Sequence, residues 1–277
     1  PGSRVYVTAG CNLAFVHAML AIVDAGDEVI LPVPYYFNHE MAVQMAGGRA
    51  VPVRTTADYQ LDLDAIAAAI TSRTRAIVTV SPNNPTGAVY GEASLRQLNA
   101  LCASRGLFHV SDETYEYFTY GAAAHVSPAS IPGATAHTVS LYSLSKAYGM
   151  AGWRVGYMVV PEALAGALAK IQDTVLICAT LVAQHAAVAA LAVGRSHARQ
   201  HLAGLDRTRQ RMRDALSAPG VPCEVVDPGG AFYFFLKVRT PLDAMTLTKR
   251  LIREHRVAVT PGSAFGDRDG CSVRVSY

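Results

Sequence analysis

Short apolar runs that alternate with helical patterns constrain the fold of this chain most strongly. The runs have the length and composition of buried strands, and segments such as Leu63 to Ile70 and Ser94 to Arg105 between them carry apolar residues at helical spacing. This alternation predicts an α/β fold in which helices cover a mainly parallel sheet. The predicted strands are Glu28 to Leu31, Ala50 to Val53, Ala76 to Val80, Leu107 to Ser111, Thr138 to Tyr142 and Val155 to Val160.

The last third of the chain has a different pattern. A long helical stretch runs from about Arg195 to Ser217, and the helix-breaking pair Pro219-Gly220 follows it. After the pair, the order strand, strand, helix, strand predicts a smaller α+β unit. We therefore expect a three-layer large domain at residues 1–194, a connecting helix at 195–218 and part of a small C-terminal domain at 219–277.

Composition limits the classes of function. The chain has 277 residues, 51% of them hydrophobic and 16% charged, which is enough to bury a sizeable core. A formal charge of +3 is too small to predict a nucleic-acid partner. Five scattered cysteines, without a C-x-x-C pair, favour a reducing, cytoplasmic location.

The uncharged segment Thr174 to Gly194 is long enough to span a membrane. It is rich in alanine and has Gln184 and His185 near its centre, so we expect helices buried in the large domain or against a second subunit, and no membrane contact. His197 and His201 stand four apart on a predicted helix. No third ligand accompanies them, so surface positions explain them better than a metal site does.

One lysine stands between small hydroxyl residues in the segment Ser143 to Gly156, and an arginine follows it eight positions later. A lysine that forms a Schiff base must be held in place and must deprotonate readily, while hydroxyl groups and Arg154 suit a dianionic phosphate. These features together predict a pyridoxal 5′-phosphate site at Lys146. Because most lysines are solvated, Lys146 by itself does not establish the site.

Three further motifs provide groups that this cofactor requires. Asn84 lies in a loop after an apolar strand and can donate its amide to the phenolate oxygen of the cofactor. Asp112 ends the next strand and can keep the pyridine nitrogen protonated, with Tyr115 as a second group for the phenolate. Arg274 has the planar fork that binds a carboxylate. Taken singly, these residues also fit an ordinary turn, a helix N-cap, a core tyrosine and a solvated arginine.

With its motifs in this order, the chain resembles the fold-type I pyridoxal-phosphate enzymes of the aspartate aminotransferase family, in the class I/II aminotransferase branch. The resemblance spans essentially the whole chain. It rests on Thr-Ala-Gly-Cys-Asn, Tyr-Tyr-Phe-Asn-His, Ser-Pro-Asn-Asn-Pro-Thr-Gly, Ser-Asp-Glu-Thr-Tyr, Ser-Leu-Ser-Lys, Gly-Trp-Arg-Val-Gly, Gly-Ala-Phe-Tyr and Val-Arg-Val-Ser-Tyr.

The resemblance implies an aminotransferase that moves an amino group from an L-amino acid to a 2-oxo acid through a Lys146 aldimine and pyridoxamine phosphate. Lys146 would also carry the proton between the substrate Cα and the cofactor. The implied partners are these small molecules and a second subunit, in a homodimer with shared active sites. The family assigns Asp112 to the pyridine nitrogen, Asn84 and Tyr115 to the phenolate, Tyr36 to the ring face, Gly10, Cys11, Ser143 and Arg154 to the phosphate, and Arg274 with Asn84 to the substrate carboxylate.

Some features depart from the family pattern. Cys11 replaces a hydroxyl residue, and a lysine that some relatives have in the same turn is absent, which weakens the case for a dicarboxylate substrate. The chain starts at Pro1 and stops at Tyr277, so we expect both ends to be truncated.

Two other functions fit the same motifs. A β-lyase or a cyclopropane-forming synthase would use the same core residues, because the bond that breaks depends on the substrate and on the side-chain pocket. The other is a pyridoxal-phosphate-binding sensor domain of a transcription regulator. A winged-helix sequence upstream would favour this sensor, whereas a short arm would favour the enzyme.

Overall fold

A seven-stranded sheet with helices on both faces forms the larger part of the computed structural model, which describes residues 2–277. Strands β2 to β6 run parallel, and β7 and β1 each run antiparallel to their inner neighbour, in the order β1-β7-β6-β5-β4-β2-β3. The strands are β1 Ser3–Thr8, β2 Glu28–Val33, β3 Arg49–Arg54, β4 Thr74–Val80, β5 Phe108–Asp112, β6 Thr138–Ser143 and β7 Gly156–Pro161. This confirms the predicted α/β fold with a mainly parallel sheet.

The helices of this part divide into two layers. Alternate residues of β2 point to opposite faces, so Val29 and Leu31 enter one apolar core and Ile30 enters the other. Helices α1, α2 and α6 cover the first core, and α3 and α4 cover the second. The helices are α1 Cys11–Ile22, α2 Phe37–Met45, α3 Leu63–Ala68, α4 Glu92–Arg105, the single turn α5 Leu144–Ala147, α6 Ala165–Val175 and α7 Leu181–Val193.

Helix α8, Arg195–Leu216, leads from this part to a four-stranded antiparallel sheet of order β10-β11-β9-β8. Its strands are β8 Cys223–Glu224, β9 Tyr233–Val238, β10 Thr260–Pro261 and β11 Ser272–Ser276, and helix α9, Ala244–His255, precedes β10. The predicted order was strand, strand, helix, strand, and the structure has one further strand, the two-residue β10, between the helix and the last strand. It is too short to produce a period-two pattern in the sequence.

The uncharged segment from Thr174 to Gly194 does not form one helix, because α6 ends at Val175 and α7 begins at Leu181. Among residues 2–277, no helix is both long and apolar enough to cross a bilayer. Most of α7 is also not buried within this chain: Leu181 is 70% exposed, Val182 65% and Val188 69%. Only Ala183 and Ala187 of this helix are buried.

Because neighbouring strands of the large sheet run parallel, segments that are distant in the sequence meet at the edge where these strands end. The parallel strands β4, β5 and β6 end at Val80, Asp112 and Ser143, so their carboxyl ends share that edge. The antiparallel pairing of Thr8 with Gly156 places the end of β1 and the start of β7 there as well. All loops that carry the predicted site residues of this sheet therefore meet on one side.

A group of acidic residues follows β5. The Glu113 carboxylate is buried, lies 2.9 Å from His125 Nε2 and accepts a hydrogen bond from Ser127 Oγ at 2.9 Å. Glu116 is half-buried beside it. Burial and the neighbouring Glu113 carboxyl raise the pKa of Glu116 to about 7.

This raised pKa gives a pH-dependent stability. Between its usual pKa and about 7, Glu116 ionises in the unfolded chain but holds its proton in the folded chain, so the free energy of unfolding falls as the pH rises through this window. Glu116→Gln removes the ionisation and should raise the free energy of unfolding by on the order of 1 kcal/mol at pH 8, with little effect at pH 4.5. Urea titrations at both pH values measure the difference. The exposed Glu224→Gln serves as the control, and an equal effect of Glu116→Gln at both pH values would contradict the prediction.

Candidate active site

A cavity of about 270 Å³ opens at the carboxyl edge of the large sheet and is bounded on one side by the small sheet. It contains most of the residues predicted from the sequence. The predicted residues that line it are Cys11, Tyr36, Asn84, Asp112, Tyr115, Ser143, Lys146, Arg154 and Arg274. Gly10, the remaining one, precedes α1 and lies against the Arg154 guanidinium.

Lys146 lies on the single turn α5, directly after β6. The turn begins at Ser143, whose Oγ accepts a hydrogen bond from the Ser145 N–H at 3.1 Å and so caps the helix. Burial lowers the pKa of Lys146, and the positive charges of Arg274 and Arg154 lower it further. The amine therefore loses its proton more readily than a solvated lysine does.

Asp112 ends β5 and is buried. Its Oδ2 lies 3.2 Å from His39 Nε2, and its Oδ1 accepts a hydrogen bond from the Thr114 N–H at 3.0 Å. Burial favours the neutral acid, but the hydrogen bonds and charge of His39, with the hydrogen bonds from Thr114, outweigh it and hold the pKa of Asp112 below its usual range. The carboxylate is thus ionised inside the protein.

Sequence reasoning missed His39. Its ring stacks on Phe15 with centroids 4.0 Å apart, and 2% of its surface is exposed. The motif Tyr-Tyr-Phe-Asn-His includes it, but only Tyr36 was assigned a role. Tyr36 precedes α2 and contacts the His39 ring edge-on at 5.3 Å. No sequence signal showed that α2 turns His39 towards β5.

Gly10, Cys11, Ser143 and Arg154 form a corner at the start of α1 with groups that suit an anion. Gly10 has φ 84°, and a Cβ atom on it would lie 2.3 Å from Arg154 Nη2, so only glycine leaves room for the guanidinium. Arg154 donates to the Ala151 carbonyl at 2.8 Å. Burial and the Asp112 carboxylate raise the pKa of Cys11 well above its usual range, so its thiol adds no negative charge here.

These groups fit pyridoxal 5′-phosphate. Free N–H groups at a helix start, two serine hydroxyls and a guanidinium suit a phosphate. The ionised Asp112 carboxylate suits a protonated ring nitrogen, and Lys146 lines the same cavity. Opposite charges are thus provided for the two ends of the cofactor.

Arg274 lies in the middle of β11, and through it the small sheet contributes to the lining of the cavity. It donates to Asn84 Oδ1 at 2.8 Å and to Thr260 Oγ1 at 3.2 Å. Its guanidinium carbon lies 4.6 Å from the ring centroid of Tyr233 and 5.1 Å from that of Phe265. These contacts fix the plane of the guanidinium. The Asn84–Pro85 peptide bond is cis.

Tyr233 is a second cavity residue that sequence reasoning missed. It begins β9, and its hydroxyl oxygen lies 2.7 Å from that of Tyr115. The motif Gly-Ala-Phe-Tyr includes Tyr233, but the sequence does not indicate what its side chain would contact.

The paired histidines of α8 do not line this cavity, but they line a neighbouring one to which Ser145 and Lys146 also contribute. The His197 and His201 rings are 5.3 Å apart, and His197 stacks on Tyr148. Within residues 2–277, no group of three or more histidine, cysteine, aspartate or glutamate side chains is arranged to hold a metal ion.

The chain is similar to known aminotransferases over its whole length. A family model described as "Aminotransferase class I and II" matches residues 1–277. The "Probable aspartate/prephenate aminotransferase" of Aquifex aeolicus is 38% identical over 274 residues, which are 95% of this chain and 69% of that protein. An aspartate aminotransferase of Pyrococcus abyssi is 33% identical over 282 residues, covering 100% of this chain and 72% of the relative.

Solved structures give the same result. A double mutant of the Thermus thermophilus aspartate aminotransferase superimposes with a TM-score of 0.92 at 35% identity, over 99% of this chain and 71% of that chain. The aromatic aminotransferase of Pyrococcus horikoshii OT3 gives a TM-score of 0.94 at 34% identity, over 99% and 74%.

The contact between His39 and Asp112 should contribute strongly to stability. His39→Leu leaves a buried carboxylate without its side-chain partner, and we expect it to lower the free energy of unfolding by about 2–4 kcal/mol at pH 7. His17→Leu is the matched control, because His17 is also buried but neither of its ring nitrogens has a partner among the described residues. Denaturant titration of both variants measures the difference. Equal losses of stability would show that the contact contributes little.

Proposed function

This chain belongs to the class I and II aminotransferase family, and we propose that Lys146 is its catalytic amine. It is a pyridoxal-phosphate-dependent transaminase that transfers amino groups between amino acids and 2-oxo acids. When bound, the cofactor supplies an electrophilic carbon for the amino group and a ring that takes up electrons from the substrate Cα. One observation carries the assignment of Lys146: it lines the cavity that also holds the ionised Asp112 and two arginines, and its pKa is lowered by burial and by the charges of these arginines.

Asp112 is proposed to hold a proton on the pyridine nitrogen. Its carboxylate is buried but stays ionised because His39 and Thr114 hydrogen-bond to it. A negative charge that is buried away from water interacts strongly with a protonated nitrogen. His39 therefore belongs to the proposed site as the residue that positions this carboxylate.

The phosphate is proposed to bind in the corner at the start of α1. The Cys11 N–H at the start of α1, the Ser143 hydroxyl and the Arg154 guanidinium would hold it. The Gly10 N–H donates to the Thr8 carbonyl at 2.8 Å, so Gly10 would contribute through its lack of a side chain. The space left by the missing Cβ of Gly10 supports this role.

Arg274 is proposed to bind the substrate α-carboxylate together with Asn84. Since the Asn84 oxygen accepts from Arg274, the amide nitrogen is the group left to donate to a ligand, as the phenolate role requires. Tyr115 is proposed to donate to the same phenolate, and Tyr36 to cover the ring face.

Proton transfer is proposed to use Lys146 alone. As a neutral amine, Lys146 would accept the proton from the substrate Cα and deliver it to the cofactor carbon that carries the amino group. Arg274 would hold the substrate by its carboxylate and so align the Cα–H bond for cleavage. The lowered pKa of Lys146 increases the neutral fraction near pH 7.

A half-reaction tests this function. The holoenzyme is mixed with single L-amino acids in the absence of a 2-oxo acid, and the visible spectrum and the product mass are recorded. We expect one equivalent of 2-oxo acid per site and the cofactor in aminated form. Lys146→Ala should slow this step by about 10³-fold or more, because it removes the general base, whereas the exposed Lys170→Ala should not.

Other outcomes would reject the proposal. Release of pyruvate and ammonia with the cofactor spectrum unchanged would indicate elimination. Binding without any product would favour a sensor. An unchanged rate in Lys146→Ala would remove Lys146 from the mechanism.

The division of the chain into domains is also a proposal. Residues 1–194 contain the large sheet, 195–218 contain α8, and 219–277 contain the small sheet. Each sheet has its own apolar cluster, which supports two units joined by a helix. The cavity would then lie between the two domains.

We further propose that the active protein is a homodimer with shared active sites. The exposed apolar side chains of α7 support an interface. Trp153, 47% exposed, lines a second cavity together with Val182 of α7 and with Arg154, which also lines the candidate site. Large exposed apolar patches usually mark association surfaces.

Charge introduced on α7 tests the dimer. Val182→Asp combined with Val188→Asp should shift the protein from dimer to monomer in sedimentation velocity, because the interface would bury two unpaired carboxylates. Val257→Asp, on the small-sheet side of the chain, is the control. A monomeric unmodified protein, or a doubly substituted protein that stays dimeric, would contradict this assignment.

A cytoplasmic location is proposed from the cysteines. All five are unpaired thiols, which suits a reducing compartment. Cell fractionation would test this proposal, and recovery in an oxidising compartment would contradict it.

A further inference from the structure

Tyr233 contacts two proposed functional residues with different parts of its side chain. Its hydroxyl oxygen lies 2.7 Å from the Tyr115 hydroxyl, and its ring centroid lies 4.6 Å from the guanidinium carbon of Arg274. Tyr115 follows β5 of the large sheet, whereas Arg274 lies on β11 of the small sheet. With 5% of its surface exposed, Tyr233 has little freedom to move away from either.

The chemistry of the two hydroxyls determines the direction of their hydrogen bond. A tyrosine hydroxyl has one proton to donate. If Tyr115 donates its proton to a ligand in the cavity, its oxygen can only accept from Tyr233. A hydroxyl that accepts a hydrogen bond becomes a better donor, since bonds in such a chain polarise one another.

The ring of Tyr233 acts on Arg274 in another way. Asn84 and Thr260 hold the two terminal nitrogens of Arg274, but its Nε is buried without a partner among the described residues. Stacking on Tyr233 therefore limits rotation of the guanidinium out of its plane. A bidentate contact with a carboxylate requires that plane to be fixed.

We propose that Tyr233 is a positioning residue for both halves of the site: its hydroxyl orients and polarises Tyr115, and its ring orients Arg274. This inference rests on the proposed function, in which Tyr115 faces the cofactor and Arg274 faces the substrate. Tyr233 itself need not touch either molecule.

Two variants of Tyr233 separate the effect of its hydroxyl from the effect of its ring. Tyr233→Phe removes only the hydroxyl, and should raise the pH midpoint of the cofactor's visible absorption band in the holoenzyme by about half a pH unit, with KM for the amino donor unchanged within twofold. Tyr233→Leu also removes the ring, and should in addition raise KM for the donor about tenfold. Phenylalanine thus rescues the second effect but not the first.

A double-mutant cycle tests whether the hydroxyl acts through Tyr115. Tyr233→Phe should shift the midpoint in the unmodified background and have no further effect in a Tyr115→Phe background. Tyr120→Phe is the matched control. The buried Tyr120 hydroxyl donates to the carbonyl of Ala231, two residues before Tyr233, at 2.7 Å, but Tyr120 does not line the cavity. This variant should lower the melting temperature and leave the midpoint unchanged.

The inference is overturned if Tyr233→Phe leaves the midpoint in place, if its shift is equally large without the Tyr115 hydroxyl, or if Tyr233→Leu leaves KM unchanged. Failure of the proposed function looks different, because the unmodified protein would then show no visible cofactor band or no half-reaction.

Discussion

The rest of the cavity depends on the hydrogen bonds that keep the Asp112 carboxylate ionised in the interior, at the end of β5. An isolated carboxylate in such a position would take up a proton. His39 from α2 and the Thr114 N–H prevent this by direct contact. The packing of α2 and α1 on the sheet, including the stack of His39 on Phe15, therefore determines the charge in the cavity as well as the stability of the fold.

The cavity is lined by one ionised carboxylate, Asp112, and by three basic side chains, Lys146, Arg154 and Arg274. Burial lowers the pKa of the lysine, and the charges of both arginines lower it further. The arginines, which suit an anion, thus also adjust the proton affinity of the amine. Because Arg274 comes from the small sheet, the position of that sheet influences the state of a residue on the large one.

Much of this could be predicted from the sequence, because the strands are short apolar runs and the chemical groups follow directly after them. Lys146, Asp112 and Asn84 were predicted in this way and line one cavity, and the aminotransferase family was predicted from the order of their motifs. His39 and Tyr233 were not found. Their roles arise from contacts with residues 73 and 118 positions away, which no local pattern encodes. The strand β10 was missed because two residues carry no periodicity.

The hydrogen bond between Arg274 and Asn84 has a consequence for folding kinetics. It joins residues 190 positions apart, whereas the contact of Asp112 with His39 spans 73. Closing the longer loop costs about 1 kcal/mol more chain entropy, and its partners lie on different sheets. A refolding chain should therefore complete the pocket around Asp112 before it joins Arg274 to Asn84, so the part of the cavity on the large sheet matures earlier than the part that the small sheet adds.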